Sequence, residues 1–331
     1  MHTVASIDIG TITSRVGIAT VDNGHVVSLE RTSIITDLGE GVDATGEFCD
    51  AAINRVVSAC AVFVEKIKEA NVEATCTTLT SAARDAKNSG VLLERLRGLG
   101  LIPQVIPGEV EAKLTFFGVA SDFVGERIAV VDSGGGSTEV VIGALETSDG
   151  ITSFELPQLM LEQSRSFNIG ARRVTERYLL RNKVVSDEDR TDLRQAIYPE
   201  FKEYLSELSQ MPDRMIFVGG TITSLASIDL EMVPYDSSRV HLLELPRASV
   251  KRCLEKFANK TVDEIAQLPG IQAKRAHVIQ AGALIIDELL HAAEASSFTI
   301  SENGLITGVV LTITQVLDEN STSISWVPEL S

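Results

Sequence analysis

Positive charge is what this sequence has least of relative to its size. Over 331 residues, 29 Lys and Arg face 46 Asp and Glu, for a formal net charge of −17. Nonspecific binding to nucleic acid or to an anionic membrane needs a long-range positive field, so neither is an expected partner. Any anionic ligand has to be held by a local cluster. Cysteine is scarce as well: Cys49, Cys60, Cys76 and Cys253 show no CxxC or Cys/His metal spacing. They read as buried, reduced thiols in a cytosol. None of the histidines (His2, His25, His241, His277, His291) forms a ligand pair. The opening MHTVASIDIG has no basic region ahead of an apolar run, and no apolar stretch approaches the length of a membrane span. A soluble, cytoplasmic protein is expected. Three nucleotide and nucleophile motifs are missing too: there is no Walker GK[ST], no GxGxxG ahead of a helix and no GxSxG.

What is present is enough apolar material for two domains, since 44% of the residues are hydrophobic. The chain also repeats itself. VASIDIGTITSRVGI at 4–18 and IAVVDSGGGSTEVVI at 128–142 share an apolar strand, an Asp, a Gly two residues later, a hydroxyl, a charge and a second apolar strand. Asp8 aligns with Asp132, Gly10 with Gly134, Thr13 with Ser137 and Arg15 with Glu139. A turn follows each hairpin (DNG at 22–24, SDG at 148–150), then a third strand, VVSLERTSI or ITSFEL.

After each three-strand unit the pattern turns helical. Ile53, Val56, Val57, Cys60, Phe63, Val64 and Ile67 recur at helix spacing within 50–70. A strand ATCTTLT, helices at TSAARDAKN and LLERLRGLG, an extended PQVIP and a helix from about Glu109 follow. In the second half, 171–181, 187–209 and 274–294 read as helices, RMIFVGG and SSFTI as strands, and TITSLASI and GLITGVVLTITQVL as helices. Three strands, then helices alternating with strands, twice over, predict two related α/β domains, 1–125 and 126–331. The cleft between them is expected to face both Asp-Gly hairpins.

The glycines at these hairpins let backbone N–H groups and hydroxyls wrap phosphate oxygens, which makes Gly10, Thr11, Thr13, Gly134, Gly135, Gly136, Ser137 and Thr138 candidate phosphate-binding residues. An Asp beside such a loop repels phosphate unless a hard divalent cation lies between them. The matched pair Asp8 and Asp132 therefore reads as a magnesium-positioning pair, with turn capping as the alternative for either residue alone.

On DIGTITSR, TSAARDAKN, PGEVEAKLTFFGV, DSGGGSTE, NIGARRVTERYL, VGGTITSLASI and SENGLITGVV, spread over almost the whole chain, the sequence resembles the exopolyphosphatase/guanosine pentaphosphate phosphohydrolase family. That family belongs to the superfamily of actin, the sugar kinases and acetate kinase. The resemblance implies two ribonuclease-H-like domains with the active site in the interdomain cleft, and residues beyond about 305 packing back on the first domain. By position it implies Glu111 as the general base toward water and Glu139 as a second essential carboxylate placing metal or water, beside Asp8 and Asp132. It further implies that Arg15 and Arg84 face phosphate, as do Gly219, Gly220 and Thr221. Magnesium is the implied cofactor, inorganic polyphosphate or guanosine pentaphosphate the substrate, and a homodimer the family expectation. Glu109, two residues from Glu111, would point elsewhere on a helix.

The sequence departs from the family pattern in two places. Ile12 stands where the first loop commonly has Asn, and GLITG replaces GLREG, with Ile306 and Thr307 in place of Arg-Glu. Arg172, Arg173 and Arg177 read either as phosphate-chain contacts or as a solvated helix face. The alternatives to a phosphohydrolase are an ATP-dependent small-molecule kinase of the same superfamily and a nucleotide- or alarmone-binding regulator without turnover.

Overall fold

The structure is a computed structural model and describes residues 1–146, 158–179, 184–212 and 214–331. The first part of the chain forms β1 (His2–Ile9), β2 (Thr13–Asp22), β3 (His25–Ile35), α1 (Asp50–Ala70), β4 (Ala74–Leu79), α2 (Ser81–Asp85), α3 (Ser89–Arg97), β5 (Pro103–Val105) and α4 (Gly108–Ala120). Next come β6 (Arg127–Ser133), β7 (Thr138–Glu146), β8 (Gln158–Phe167), α5 (Asp187–Ser206), β9 (Arg214–Val218) and α6 (Gly220–Asp229). The chain then adds β10 (Glu244–Pro246), α7 (Arg247–Phe257), α8 (Ala276–Ala292), β11 (Ser297–Ile300) and α9 (Leu305–Leu317). Shorter helical turns lie between these elements. The expected turn at 148–150, the strand ITSFEL and the end of the helix expected over 171–181 lie outside the described residues.

Two sheets carry the duplication. One runs β3-β2-β1-β4-β5 and the other β10-β11-β9-β6-β7-β8. In the first, β2 is antiparallel to β1 and β3, and β4 is parallel to β1 and β5. In the second, β6 is parallel to β9 and β9 to β11, with β10 added antiparallel at the edge. The order β8-β7-β6-β9-β11 thus repeats β3-β2-β1-β4-β5, which is ribonuclease-H-like topology twice over. By contacts the chain divides into a first unit of Met1–Glu126, Val141–Arg165 and Asn303–Ser331, and a second of Arg127–Val140 and Ser166–Glu302.

In the first unit the stripe on α1 was legible from its spacing. Ile53, Val56, Cys60 and Phe63 pack on Ile7, Ile9, Val16 and Leu79, with Val57, Val64 and Ile67 partly buried at the margin. The opposite face of the sheet is covered by α9, which packs against α4 and β1. Burial pushes the thiols of Cys60, Cys76 and Cys253 up to about 12, so they stay protonated and inert. Cys49 corrects the expectation of four buried thiols: it is exposed, because it sits at the N-cap of α1 rather than on its apolar stripe. The sequence reading also passed over β10 and α7. β10 is only three residues long, whereas α7 carries Val250, Cys253, Leu254 and Phe257 at helix spacing and was legible.

The chain end lies beside β4, where the backbone groups of Ser331 and Thr75 exchange hydrogen bonds at 2.9 Å. Nearby, His2 on β1 bonds Glu73 through Nδ1 at 2.7 Å and Asp318 through Nε2 at 2.9 Å. These two carboxylates raise the imidazole pKa above its ordinary value. A group with a raised folded-state pKa contributes stability that is full below its unfolded pKa of about 6.5 and is lost as pH climbs through the folded value. The stability difference between wild type and His2→Ala is therefore expected to be larger at acidic than at alkaline pH. Chemical denaturation of both proteins across that range checks it.

Candidate active site

The two Asp-Gly hairpins are the same turn built twice. Gly10 N–H donates to the Thr13 carbonyl at 3.0 Å, and Gly134 N–H donates to the Ser137 carbonyl at 3.0 Å. In both, the loop carbonyls are taken up by the segment that follows the third strand. The Thr11 carbonyl accepts from Gly39 N–H at 2.8 Å, and the Ile12 carbonyl from Thr36 and Asp37 N–H at 3.0 and 2.8 Å. In the second unit, the Gly134 and Gly135 carbonyls accept from Ala171 and Arg172 N–H at 3.0 and 2.8 Å. The Gly136 carbonyl accepts from Arg173 Nε at 2.8 Å. A trans peptide points the next N–H opposite to its carbonyl. The N–H groups of Ile12, and of Gly135, Gly136 and Ser137, thus turn away from the packed segment, an arrangement that suits anion oxygens.

That packed segment repeats as well. Asp37-Leu38-Gly39 and Asn168-Ile169-Gly170 follow their third strands, with Leu38 and Ile169 buried and each glycine pressed on a loop. The sequence carries this second repeat beyond the matched hairpins, turns and third strands, in a stretch too short to stand out by itself. A Cβ on Gly170 would sit 2.4 Å from the Gly135 carbonyl oxygen and 2.4 Å from the Gly136 carbonyl carbon, whereas one on Gly39 would meet the Thr11 methyl at 2.3 Å.

In the first unit, β1 and β2 place Asp8 opposite Arg15 in register. Arg15 Nη1 lies 3.5 Å from Asp8 Oδ2, and the Asp8 side chain is almost fully buried. Glu111 sits in the first turn of α4, where a negative charge is favoured by the helix dipole. It is buried, 7% exposed, and its Oε2 accepts from Arg84 Nη1 at 2.7 Å. The same Nη1 donates to the Ile106 carbonyl at 2.9 Å, which anchors the guanidinium independently of α4. These bonds leave from Nη1 alone, so Nε and Nη2 remain as donors. The structure thus brings Arg84 to Glu111, far from a surface pair with its neighbour Asp85. Glu109 is exposed.

In the second unit, Glu139 is buried on β7 and accepts from the Ser166 hydroxyl at 2.7 Å. Thr138 donates to the Ile169 carbonyl at 2.6 Å, which is a structural bond. Gly219 adopts φ +92, and a Cβ there would meet Asp132 Oδ1 at 2.8 Å. Thr221 donates to the Ser133 carbonyl at 3.3 Å. Asp132 and the Gly219–Thr221 turn therefore belong together. Sequence reasoning missed Arg275: its guanidinium fills the space a Cβ on Gly220 would need, with Nη1 2.1 Å from that position. No local motif marks it; only the distant glycine does.

Arg172 is buried and paired with Glu176 at 3.6 Å, with burial lowering its pKa. Arg173 braces the glycine loop through Gly136, and Arg177 is exposed. Ile12 is buried. Ile306 packs over Gly17, and Thr307 accepts from Arg31, which also bonds Asn303. Among the described residues no group of three or more His, Cys, Asp or Glu side chains is arranged to hold a metal ion. Magnesium takes one or two carboxylates and keeps its waters, so it does not require such a group. Asp8 in the first unit and Asp132 and Glu139 in the second each offer carboxylate oxygen, the donor type a hard cation takes.

The Ppx/GppA phosphatase family model matches residues 17–316. The chain belongs to that family. Exopolyphosphatase 2 of Mycobacterium tuberculosis is 31% identical over 329 residues, covering 94% of this chain and 98% of the relative. The guanosine-5'-triphosphate,3'-diphosphate pyrophosphatase of Photobacterium profundum is 25% identical, covering 92% of this chain and 58% of that protein. Among solved structures, an exopolyphosphatase-like protein superimposes with a TM-score of 0.85 at 32% identity, covering 96% of this chain and 99% of that one. The Aquifex aeolicus member of the Ppx/GppA family gives 0.74 at 30% identity, covering 96% and 99%.

The contrast between Gly170 and Gly39 is testable. Gly170→Ala presses on backbone and is expected to cost about 1–3 kcal/mol. Gly39→Ala presses on the Thr11 side chain, which can turn about χ1, and is expected to cost less. Denaturant midpoints of the two variants give the comparison.

Proposed function

We propose that this chain releases terminal orthophosphate from inorganic polyphosphate, from guanosine pentaphosphate, or from both, by magnesium-assisted attack of water. The observation that carries the reading is the pair of half-buried Arg84 and buried Glu111 at the start of α4. A carboxylate held in one geometry by a fixed cation is equipped to orient a water molecule and take its proton, and Arg84 keeps donors for a phosphate oxygen. The relatives named exopolyphosphatase and guanosine-5'-triphosphate,3'-diphosphate pyrophosphatase support this pair of substrates.

Phosphoryl transfer passes through a loose transition state with charge spread over the equatorial oxygens, so catalysis is mainly positioning and charge compensation. In this reading Glu111 is the base. Arg84 and Arg15 compensate charge, and Arg15 also offsets the repulsion that Asp8 exerts on phosphate. The outward N–H groups of the two glycine turns hold nonbridging oxygens, joined by the Gly219–Thr221 turn. Asp8, Asp132 and Glu139 are the residues that would hold magnesium. When bound, the cation neutralises phosphate charge.

Glu111→Gln is expected to bind polyphosphate while losing at least ~10²-fold in turnover, the scale of a missing general base. Orthophosphate release from polyphosphates of defined length, guanosine pentaphosphate and ATP measures it, and full activity in Glu111→Gln removes the assignment. ATP consumption only with a sugar or carboxylic acid present would make the protein a kinase, and tight binding with no product would make it a regulator. Chelation with EDTA is expected to abolish release and added magnesium to restore it; release that persists in EDTA contradicts the cation's role.

A further inference from the structure

Helices α4 and α9 cross backbone against backbone. A Cβ built on Gly308 would lie 1.9 Å from the Leu114 carbonyl oxygen and 2.7 Å from its carbonyl carbon. One built on Gly118 would lie 2.2 Å from the Gly304 carbonyl oxygen and 2.6 Å from the Gly308 nitrogen. These neighbours are main chain, which cannot rotate aside as a side chain does. The α9 backbone is also committed here: Gly308 N–H donates to the Gly304 carbonyl at 3.0 Å, and the Gly308 carbonyl accepts from the Thr312 hydroxyl at 2.8 Å. Leu114, Phe116, Val309 and Val310 are fully buried around the crossing.

Leu114 lies one helical turn from Glu111, so a push on its carbonyl moves the first turn of α4 as a body. Arg84 would not follow. Its second bond is to Ile106, which lies ahead of α4 and is tied to the end of β4 by a 3.0 Å bond from Ile106 N–H to the Leu79 carbonyl. The separation of α4 and α9 therefore sets the position of the Glu111 carboxylate against a guanidinium anchored elsewhere.

We propose that Gly308, with Gly118, is a positioning residue for Glu111: the missing side chains let α4 seat against α9 at the one depth where Glu111 meets Arg84. The inference rests on the reading of Glu111 as the base. Gly17, on β2 beneath α9, supplies a contrast. A Cβ there would meet Ile306 Cγ2 at 2.3 Å and Leu29 Cδ1 at 3.1 Å, side-chain atoms rather than the backbone of α4.

The experiment measures kcat and KM for orthophosphate release from polyphosphate of defined length, with magnesium, using the full chain. The variants are Gly308→Ala, Gly118→Ala, Gly17→Ala, Glu111→Gln and the double variant Gly308→Ala/Glu111→Gln, with folding followed by circular dichroism. Gly308→Ala is expected to lower kcat by about 10²-fold, the cost of roughly 1 Å of misplacement, with KM unchanged. Gly17→Ala keeps wild-type kcat. The double variant turns over no more slowly than Glu111→Gln alone, because the glycine acts only through that carboxylate. A folded Gly308→Ala with wild-type kcat, or one whose loss adds in full to that of Glu111→Gln, overturns the proposal. If Gly308→Ala does not fold, Gly118→Ala carries the same comparison, and failure of both to fold assigns the glycines a purely structural role. Wild-type turnover in Glu111→Gln overturns the proposed base, and this inference with it. An inactive Glu111→Gln beside a fully active Gly308→Ala overturns this inference alone.

Discussion

Planarity of the peptide bond ties the direction of each carbonyl in the glycine turns to that of the next N–H. In both units the carbonyls are drawn inward by the segment after the third strand, at Thr36–Gly39 and at Ala171–Arg173. The amides are turned outward as a consequence. In a chain with a net charge of −17 this matters, since general electrostatic attraction cannot hold an anion. In the proposed function, oriented amide dipoles and a few fixed guanidinium groups do so instead. The two units reach the same result with different partners, backbone amides in the first and backbone plus Arg173 in the second.

Glycine serves two physical purposes in the molecule. At Gly219 the positive φ lets the turn approach the Asp132 carboxylate. At Gly118 and Gly308 the backbone is ordinary helix, and the need is for closeness: the helix bearing Glu111 seats on its neighbour with no side chain between them. Arg84 links these levels. It is anchored to Ile106 by one bond and to Glu111 by another, so the geometry of the pair reports the placement of α4.

Much of this was legible in the sequence. The helical spacing of Ile53, Val56, Cys60 and Phe63 gave α1 and its buried face, and the paired Asp-Gly hairpins gave a duplicated α/β architecture with like strand order. The glycine turns were read from the repeat itself, and Glu111 and Arg84 were singled out through a likeness to a family. Reading was weakest where contacts join residues far apart in the chain. Arg275 packs on Gly220 with no motif to announce it, and Arg173 gave no sign that it would brace a loop carbonyl. The exposed Cys49 was missed because it stands four residues ahead of Ile53, in phase with the stripe, while the helix begins only at Asp50.

By itself the sequence determined which residue types stand at each strand end and where apolar residues recur, because periodicity and turn chemistry act over a few neighbours. It therefore determined the elements, their repetition and the set of acids and arginines from which a site is drawn. Tertiary structure decided which of them meet: Arg84 with Glu111, Asp132 with Gly219, and the carbonyls of each glycine turn with its own distant segment. The physical reason is that direction and burial of a polar group depend on what packs against it, and those partners lie far beyond the few neighbours that local pattern reaches.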